Sequence, residues 1–232
     1  MRPISDLQAI LDGFDFTYIL SLFLSVIPAL ICITLHELSH GLVAYRLGDT
    51  TARDRGRLTL NPLKHLDPMG LLMMLLFRVG WAKPVPVNPS LFKETNWYMS
   101  LVALACPLSN VLITIVFLFL YGVTYLPLSS SGAGQYVTEM IELTARISLG
   151  LAVFNLIPVP PLDGSKILMS ALPDEDYRKV LRFERYGSLL MLVLVASGVL
   201  GRPLSLLINF LYSRLFPIAR LGYRMILNLF YL

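Results

Sequence analysis

Charge is scarce in this sequence. Only 15% of its 232 residues are Asp, Glu, Lys or Arg, against 56% hydrophobic, and the mean hydropathy is +0.68. Soluble domains carry about 25% charge and about 45–50% apolar residues, so this composition excludes an ordinary soluble domain and fits a membrane protein. Cysteine is almost absent. Cys32 and Cys106 both lie inside apolar runs, which excludes a disulfide framework. The net charge of +4 calls for no nucleic-acid partner, because Lys and Arg gather in short loops beside apolar segments, as expected against an anionic inner leaflet. No internal repeat, long linker or second soluble domain stands out, so residues 1–232 read as one integral-membrane domain. Asp6, Asp12 and Asp15 precede the first apolar stretch, a poor signal peptide and a better retained first span.

The apolar runs predict an all-α polytopic membrane protein with about four to six transmembrane helices, each needing about 20 residues. The first runs from Phe16 through Leu35 and continues as helix to a stop at Gly48. A basic, turn-rich loop follows over 49–70, where "RLTL" is a candidate short strand. "LLMMLLF" (71–77) is too short to span and reads as re-entrant or interfacial, and "WAKPVPVNP" (81–89) as an extended edge segment. Further spans are expected at about 97–126 and 137–157, then at 186–200 and 203–216, with a final apolar tail over 217–232 and a charged segment at 173–185. The loop after the first span carries Arg46, Arg53, Arg55, Arg57 and Lys64, whereas 127–136 carries no charge. The positive-inside rule then places the N-terminus outside and loops 49–95 and 173–185 in the cytoplasm.

Histidine is the other scarcity, and it is informative. Two of three histidines fall within "ICITLHELSHGLVA" (31–44), inside an apolar run where each ionisable group costs about 2.5–3.5 kcal/mol. "HELSH" matches H-E-x-x-H: His36 and His40 project from one helix face one turn apart and can share a zinc ion, with Glu37 beside them. An open position on such a zinc makes hydroxide available near neutral pH, and Glu37 is suited to carry the proton. The bland alternative, a chance motif satisfying a helix end, would have to accept this polar triplet near membrane depth.

A catalytic zinc needs a third protein ligand. Cys32 precedes His36 by one turn, but Cys32 to His40 covers about 12 Å of helix rise, too far for one ion, so Cys32 reads as a packing residue. His65 and Asp67 lie in the turn-rich loop and read as structural. Asp163, in "FNLIPVPPLDGSKIL" (154–168), follows three prolines that forbid regular helix, and broken backbone at membrane depth survives only beside protein or a water-filled cavity. Spacing alone leaves Asp163 divided between a ligand and a helix N-cap.

"HELSHGLVAYRLGD" (36–49) and "NLIPVPPLDG" (155–164) resemble the two signatures of the site-2 protease family, the intramembrane zinc metalloproteases, in the family's order. The likeness covers most of residues 16–172, the expected catalytic core, leaving 173–232 as extra C-terminal helices. "NPLKHLDPMG" and "WAKPVPVNP" further resemble the compact members without a PDZ domain. The resemblance implies one catalytic Zn2+ held by His36, His40 and Asp163, with Glu37 as general base and acid, and Asn155 orienting substrate or stabilising the oxyanion. It implies a transmembrane protein substrate, a multi-pass location in the lipid bilayer of a prokaryotic plasma membrane, and an active site near the cytoplasmic side. In the family's Gly-Pro-x-x-Asn pattern this chain has "CPLSN" (106–110), so Cys106 puts bulk where helices approach closely. The rival classes are a metal-binding or transport protein and a catalytically silent helix-binding protein. Near-absence of other ionisable residues from the spans disfavours transport, and an intact Glu37 disfavours silence.

Overall fold

The computed structural model describes residues 16–70, 72, 82–170, 172, 186–187, 189–191, 193–195 and 197–230, with the side chains of the first helix from Leu24. The chain is built from helices: α1 (Phe16–Arg46), a one-turn α2 (Thr51–Asp54), α3 (Thr95–Leu128), α4 (Gly132–Asn155), a short α5 (Asp163–Met169), α6 (Gly201–Leu215) and α7 (Pro217–Phe230). The described residues contain no strand. "RLTL" is not one, and the only pairing nearby is an isolated antiparallel bridge between Leu66 and Ala82. Residues 71–77 (apart from Leu72) and 173–185 lie outside the described residues, so the interfacial piece and the charged segment expected there are not seen.

Among the described residues, three stretches are long and apolar enough to cross a membrane: Leu24–Arg46, Thr95–Leu128 and Gly201–Phe230, the last made of two helices meeting at Phe216. The span expected at 137–157 is indeed helical, as α4, yet it is not among them. Glu139, Glu142 and Arg146 lie in its middle. Two of these charges are paired rather than left bare, as apolar surroundings demand. Arg146 bonds Glu142 at 2.9 Å, Tyr212 of α6 donates to the same carboxylate at 3.0 Å, and the guanidinium lies over the Tyr212 ring at 3.9 Å. The helix balances Glu142 with its own Arg146, and its neighbour α6 adds a hydroxyl and an aromatic face to that pair.

Helix α3 is the centre of the fold, packing against α1, α4, α5 and α7. Leu118 of α3, Ala145 and Leu149 of α4, Tyr212 of α6 and Ala219 of α7 form one buried cluster away from the histidines. Ala44 of α1, Phe92 of the segment before α3 and Val102 of α3 form a second beside them. The α3–α7 crossing depends on glycine. A Cβ at Gly122 would lie 1.8 Å from the Ala219 carbonyl oxygen, and one at Gly222 would lie 2.5 Å from that of Phe119. Small residues permit such backbone approach between membrane helices. Gly122→Ala should therefore lower stability by about 1–3 kcal/mol through overpacking. Thermal unfolding in detergent checks this against Gly150→Ala, whose added carbon meets nothing closer than 3.9 Å and should leave Tm unchanged.

Candidate metal centre

Helix α1 presents the two histidines as their spacing requires. The His36 and His40 rings stand edge to face, 5.1 Å apart at 89°. Asp163 reaches them from the far side of the fold. Pro158, Pro160 and Pro161 end regular helix after α4, and the chain restarts as α5 with Asp163 as its first residue. Asp163 is therefore not the cap of α5. The N-cap is Leu162, which makes no side-chain cap bond, and the Asp163 carboxylate is spent on the histidines instead. Its Oδ2 lies 3.1 Å from His40 Nε2 and 3.6 Å from His36 Nε2. Gly164 allows that placement, since a Cβ there would lie 2.3 Å from the Leu156 carbonyl oxygen at the end of α4. Lys166, one turn on, brings Nζ to 3.7 Å from Asp163 Oδ1.

The donor set fits a zinc ion. His40 Nδ1 lies 3.0 Å from the Val102 carbonyl oxygen, and a carbonyl can only accept, so Nδ1 carries a proton. In neutral His40 the Nε2 lone pair then faces the Asp163 carboxylate at 3.1 Å, acceptor to acceptor. That arrangement is repulsive unless positive charge lies between the two. Ligands at about 2.0–2.2 Å from a tetrahedral zinc stand roughly 3.3 Å apart, and the spacings of 3.1 and 3.6 Å bracket this value. Two imidazoles and a carboxylate are also zinc's usual partners.

Glu37 is buried beside this cluster and accepts a hydrogen bond from the Val85 N–H at 2.7 Å. Val85 belongs to a segment held from below by the loop after α1. Arg57 donates to the carbonyls of Lys83 at 2.6 Å and Pro84 at 3.3 Å, the His65 carbonyl accepts from Lys83 N–H at 2.9 Å, and Asp49 accepts from Asn88 N–H at 2.7 Å. His36, Glu37, His40 and Asp163 open into one cavity of about 520 Å³, also lined by Val85, Val87, Asn155 and Lys166. Asn155 is half-buried in that wall, and its Nδ2 donates to the Leu151 carbonyl at 3.0 Å. It faces the cavity while also tying down the end of its own helix.

The family model that matches the chain is Peptidase family M50, over residues 122–200. YwhC of Bacillus subtilis, a protein named as a zinc metalloprotease, is 41% identical over 178 residues, covering 74% of this chain and 80% of its own length. The chain belongs to peptidase family M50, the site-2 protease family. Two further relatives bear the same kind of name. Rip2 of Mycolicibacterium smegmatis is 31% identical over 180 residues, and Rip2 of Mycobacterium tuberculosis 30% over 181 residues. These alignments cover 75% and 74% of this chain and 66% of each relative. No solved structure matches the chain. As an M50 member it is a zinc metalloprotease of the site-2 type with Zn2+ as cofactor.

Within this M50 site, Cys32 and His65 behave as packing residues. Cys32 is fully buried and donates to the Thr144 carbonyl at 3.4 Å, and His65 is buried with Nε2 2.9 Å from the Thr59 carbonyl. Two residues of "CPLSN" belong to the site although their spacing gave no such signal. Cys106 places Sγ among the ligand atoms of His36, His40 and Asp163, all within 4.8 Å of one another. Its bulk is accommodated by bonds to the His36 carbonyl and the Ser39 hydroxyl, each 3.2 Å. Asn110 sits against the other side of His36. The family pattern had flagged both positions, but only the packing of α1 on α3 shows what they touch.

Arg57→Ala removes the guanidinium from two carbonyls, and a charged hydrogen bond is worth about 1.5–3 kcal/mol. Amide exchange over 83–88 is expected to accelerate markedly while that of 102–110 stays slow, as read by hydrogen–deuterium exchange mass spectrometry.

Proposed function

We propose that this metalloprotease hydrolyses a peptide bond within or next to a transmembrane segment of another membrane protein, with His36, His40 and Asp163 holding zinc and Glu37 as general base. The observation that carries the reading is the convergence of two imidazole nitrogens on one carboxylate oxygen, at 3.1 and 3.6 Å, in the cavity that also holds Glu37. Zinc held there supplies Lewis acidity and lowers the pKa of water to about 7. Glu37 takes the proton of the attacking water and returns it to the leaving amine, a role worth about 10²–10⁴-fold in rate. One of its oxygens is engaged by Val85 N–H, which fixes the carboxylate and leaves the second oxygen for the proton. Asn155, in the cavity wall, orients the substrate or donates to the oxygen that gains charge as its carbonyl is attacked.

A transmembrane helix hides its carbonyls in its own hydrogen bonds, so the substrate must be extended locally before attack. The segment 82–88 suits that task by strand addition. Pro84 and Pro86 remove the donors from one edge, and on the other the Lys83 and Val85 N–H groups are already given to the His65 carbonyl and to Glu37, so a substrate strand would pair through the backbone groups these bonds leave open. The enzyme is placed in the cell membrane as a multi-pass protein with its active site near the cytoplasmic side. Supporting this, α1 ends at Arg46, between one and two turns past His40, and the loop that follows carries Arg53, Arg55, Arg57 and Lys64.

With a panel of single-span reporter proteins in detergent, Glu37→Gln should keep its zinc and lose about 10²–10⁴-fold in cleavage rate. Zinc retained with cleavage undiminished would remove Glu37 as the base. Zinc without cleavage even in wild type would favour a silent, helix-binding member. Asp163→Ala should lose zinc measured by metal analysis, whereas His65→Ala should retain it.

A further inference from the structure

Asn110 lies on α3 opposite His36, one helix interface away from Glu37 and the cavity. It is fully buried. Its Nδ2 lies 3.0 Å from His36 Nδ1, and its Oδ1, equally buried, has no hydrogen-bond partner in the protein. The backbone carbonyl of Asn110 is held by the hydroxyls of Thr114 and of Ser148 from α4, each at 2.8 Å, so the residue cannot easily retreat.

The direction of the bond to His36 matters chemically. If Asn110 Nδ2 donates to Nδ1, the His36 proton sits on Nε2. That proton points toward Asp163 Oδ2 at 3.6 Å, too long for a hydrogen bond, and occupies the lone pair a cation would need. Rotating the amide by 180° exchanges oxygen and nitrogen without moving any other group. Oδ1 then accepts from Nδ1–H, and Nε2 turns a free lone pair toward Asp163 and His40. His40 already has this arrangement, with Nδ1 against the Val102 carbonyl. Both outer acceptors would then come from one helix, α3, which runs antiparallel to α1 along this contact.

We propose that Asn110 is a positioning residue that selects the metal-binding tautomer of His36, its Oδ1 accepting the Nδ1 proton in the zinc-loaded enzyme. The inference rests on His36 being a zinc ligand, as proposed above. Outer-sphere partners of this kind change metal affinity by about 10–100-fold.

The test is zinc affinity of the full-length protein in detergent, by competition with a chromophoric chelator, for wild type, His40→Ala, Asn110→Leu and Asn110→Asp. Asn110→Leu keeps the volume and removes the acceptor, and should bind zinc about 10–100-fold more weakly. Asn110→Asp restores an oxygen facing Nδ1–H and should return affinity to the wild-type level, a rescue that a purely packing role would not produce. Wild-type affinity in Asn110→Leu overturns the proposal, and so does equal loss in both variants. Should Asn110→Leu fail to fold, Asn110→Asp decides alone, and weakened binding there overturns it. Failure of the underlying reading is recognised separately, as a wild type that takes up no zinc or a His40→Ala that binds it unchanged.

Discussion

The structure turns on an imidazole caught between two acceptors. His40 gives its outer proton to the Val102 carbonyl and turns its inner nitrogen toward the Asp163 carboxylate, 3.1 Å away, at low exposure. Such a contact is stable only with positive charge between the partners, because a carboxylate oxygen and an imidazole lone pair facing each other at low exposure repel. Everything that fixes the three groups serves this requirement. Helix α3 supplies the carbonyl, the proline break after α4 turns the chain back, and Gly164 lets α5 settle on the end of α4 so that Asp163 arrives at the histidines.

The same economy governs charge elsewhere in the fold. Two of the acidic groups placed within helices are met by partners. Glu142 of α4 is met by Arg146 and by the Tyr212 hydroxyl, and Asp163 by two histidines and Lys166. The two clusters differ in what balances them. At Glu142 the neutralising cation is a side chain supplied by the same helix, which makes that cluster complete in itself. At Asp163 the cation of the same helix, Lys166, stands 3.7 Å from Oδ1, while Oδ2 faces two imidazoles, which leaves that oxygen open to a metal.

How much of this was legible beforehand depended on whether the determinant was local. H-E-x-x-H fixes the relation of His36 to His40 within one turn of helix, and the three prolines before Asp163 fix a break, so those residues declared themselves. Spacing could not say whether Asp163 caps its helix or faces the histidines, because its placement depends on which helix end α5 packs against. Asn110 and Cys106 were legible only as positions in a pattern, since their contacts with His36 cross from α3 to α1, some seventy residues apart along the chain. The third apolar run was read as an ordinary span because composition averages over Glu139, Glu142 and Arg146. The Glu142–Arg146 pair is met by Tyr212, a residue of α6 that no local window contains.

One consequence of the shared scaffold is that Glu37 and the extended segment 82–88 are mechanically joined. Val85 gives its N–H to Glu37, while Lys83 and Pro84, just before it, are held by Arg57 and the His65 carbonyl, all from the loop that follows α1. Glu37 and that loop belong to the same continuous stretch of chain, so any displacement of 82–88 is felt at the carboxylate through a single hydrogen bond. A segment anchored on both sides of Val85, by Arg57 before it and by Asp49 through Asn88 after it, resists such displacement. The orientation of the carboxylate is therefore set as much by the loop outside the membrane helix as by the helix that carries Glu37.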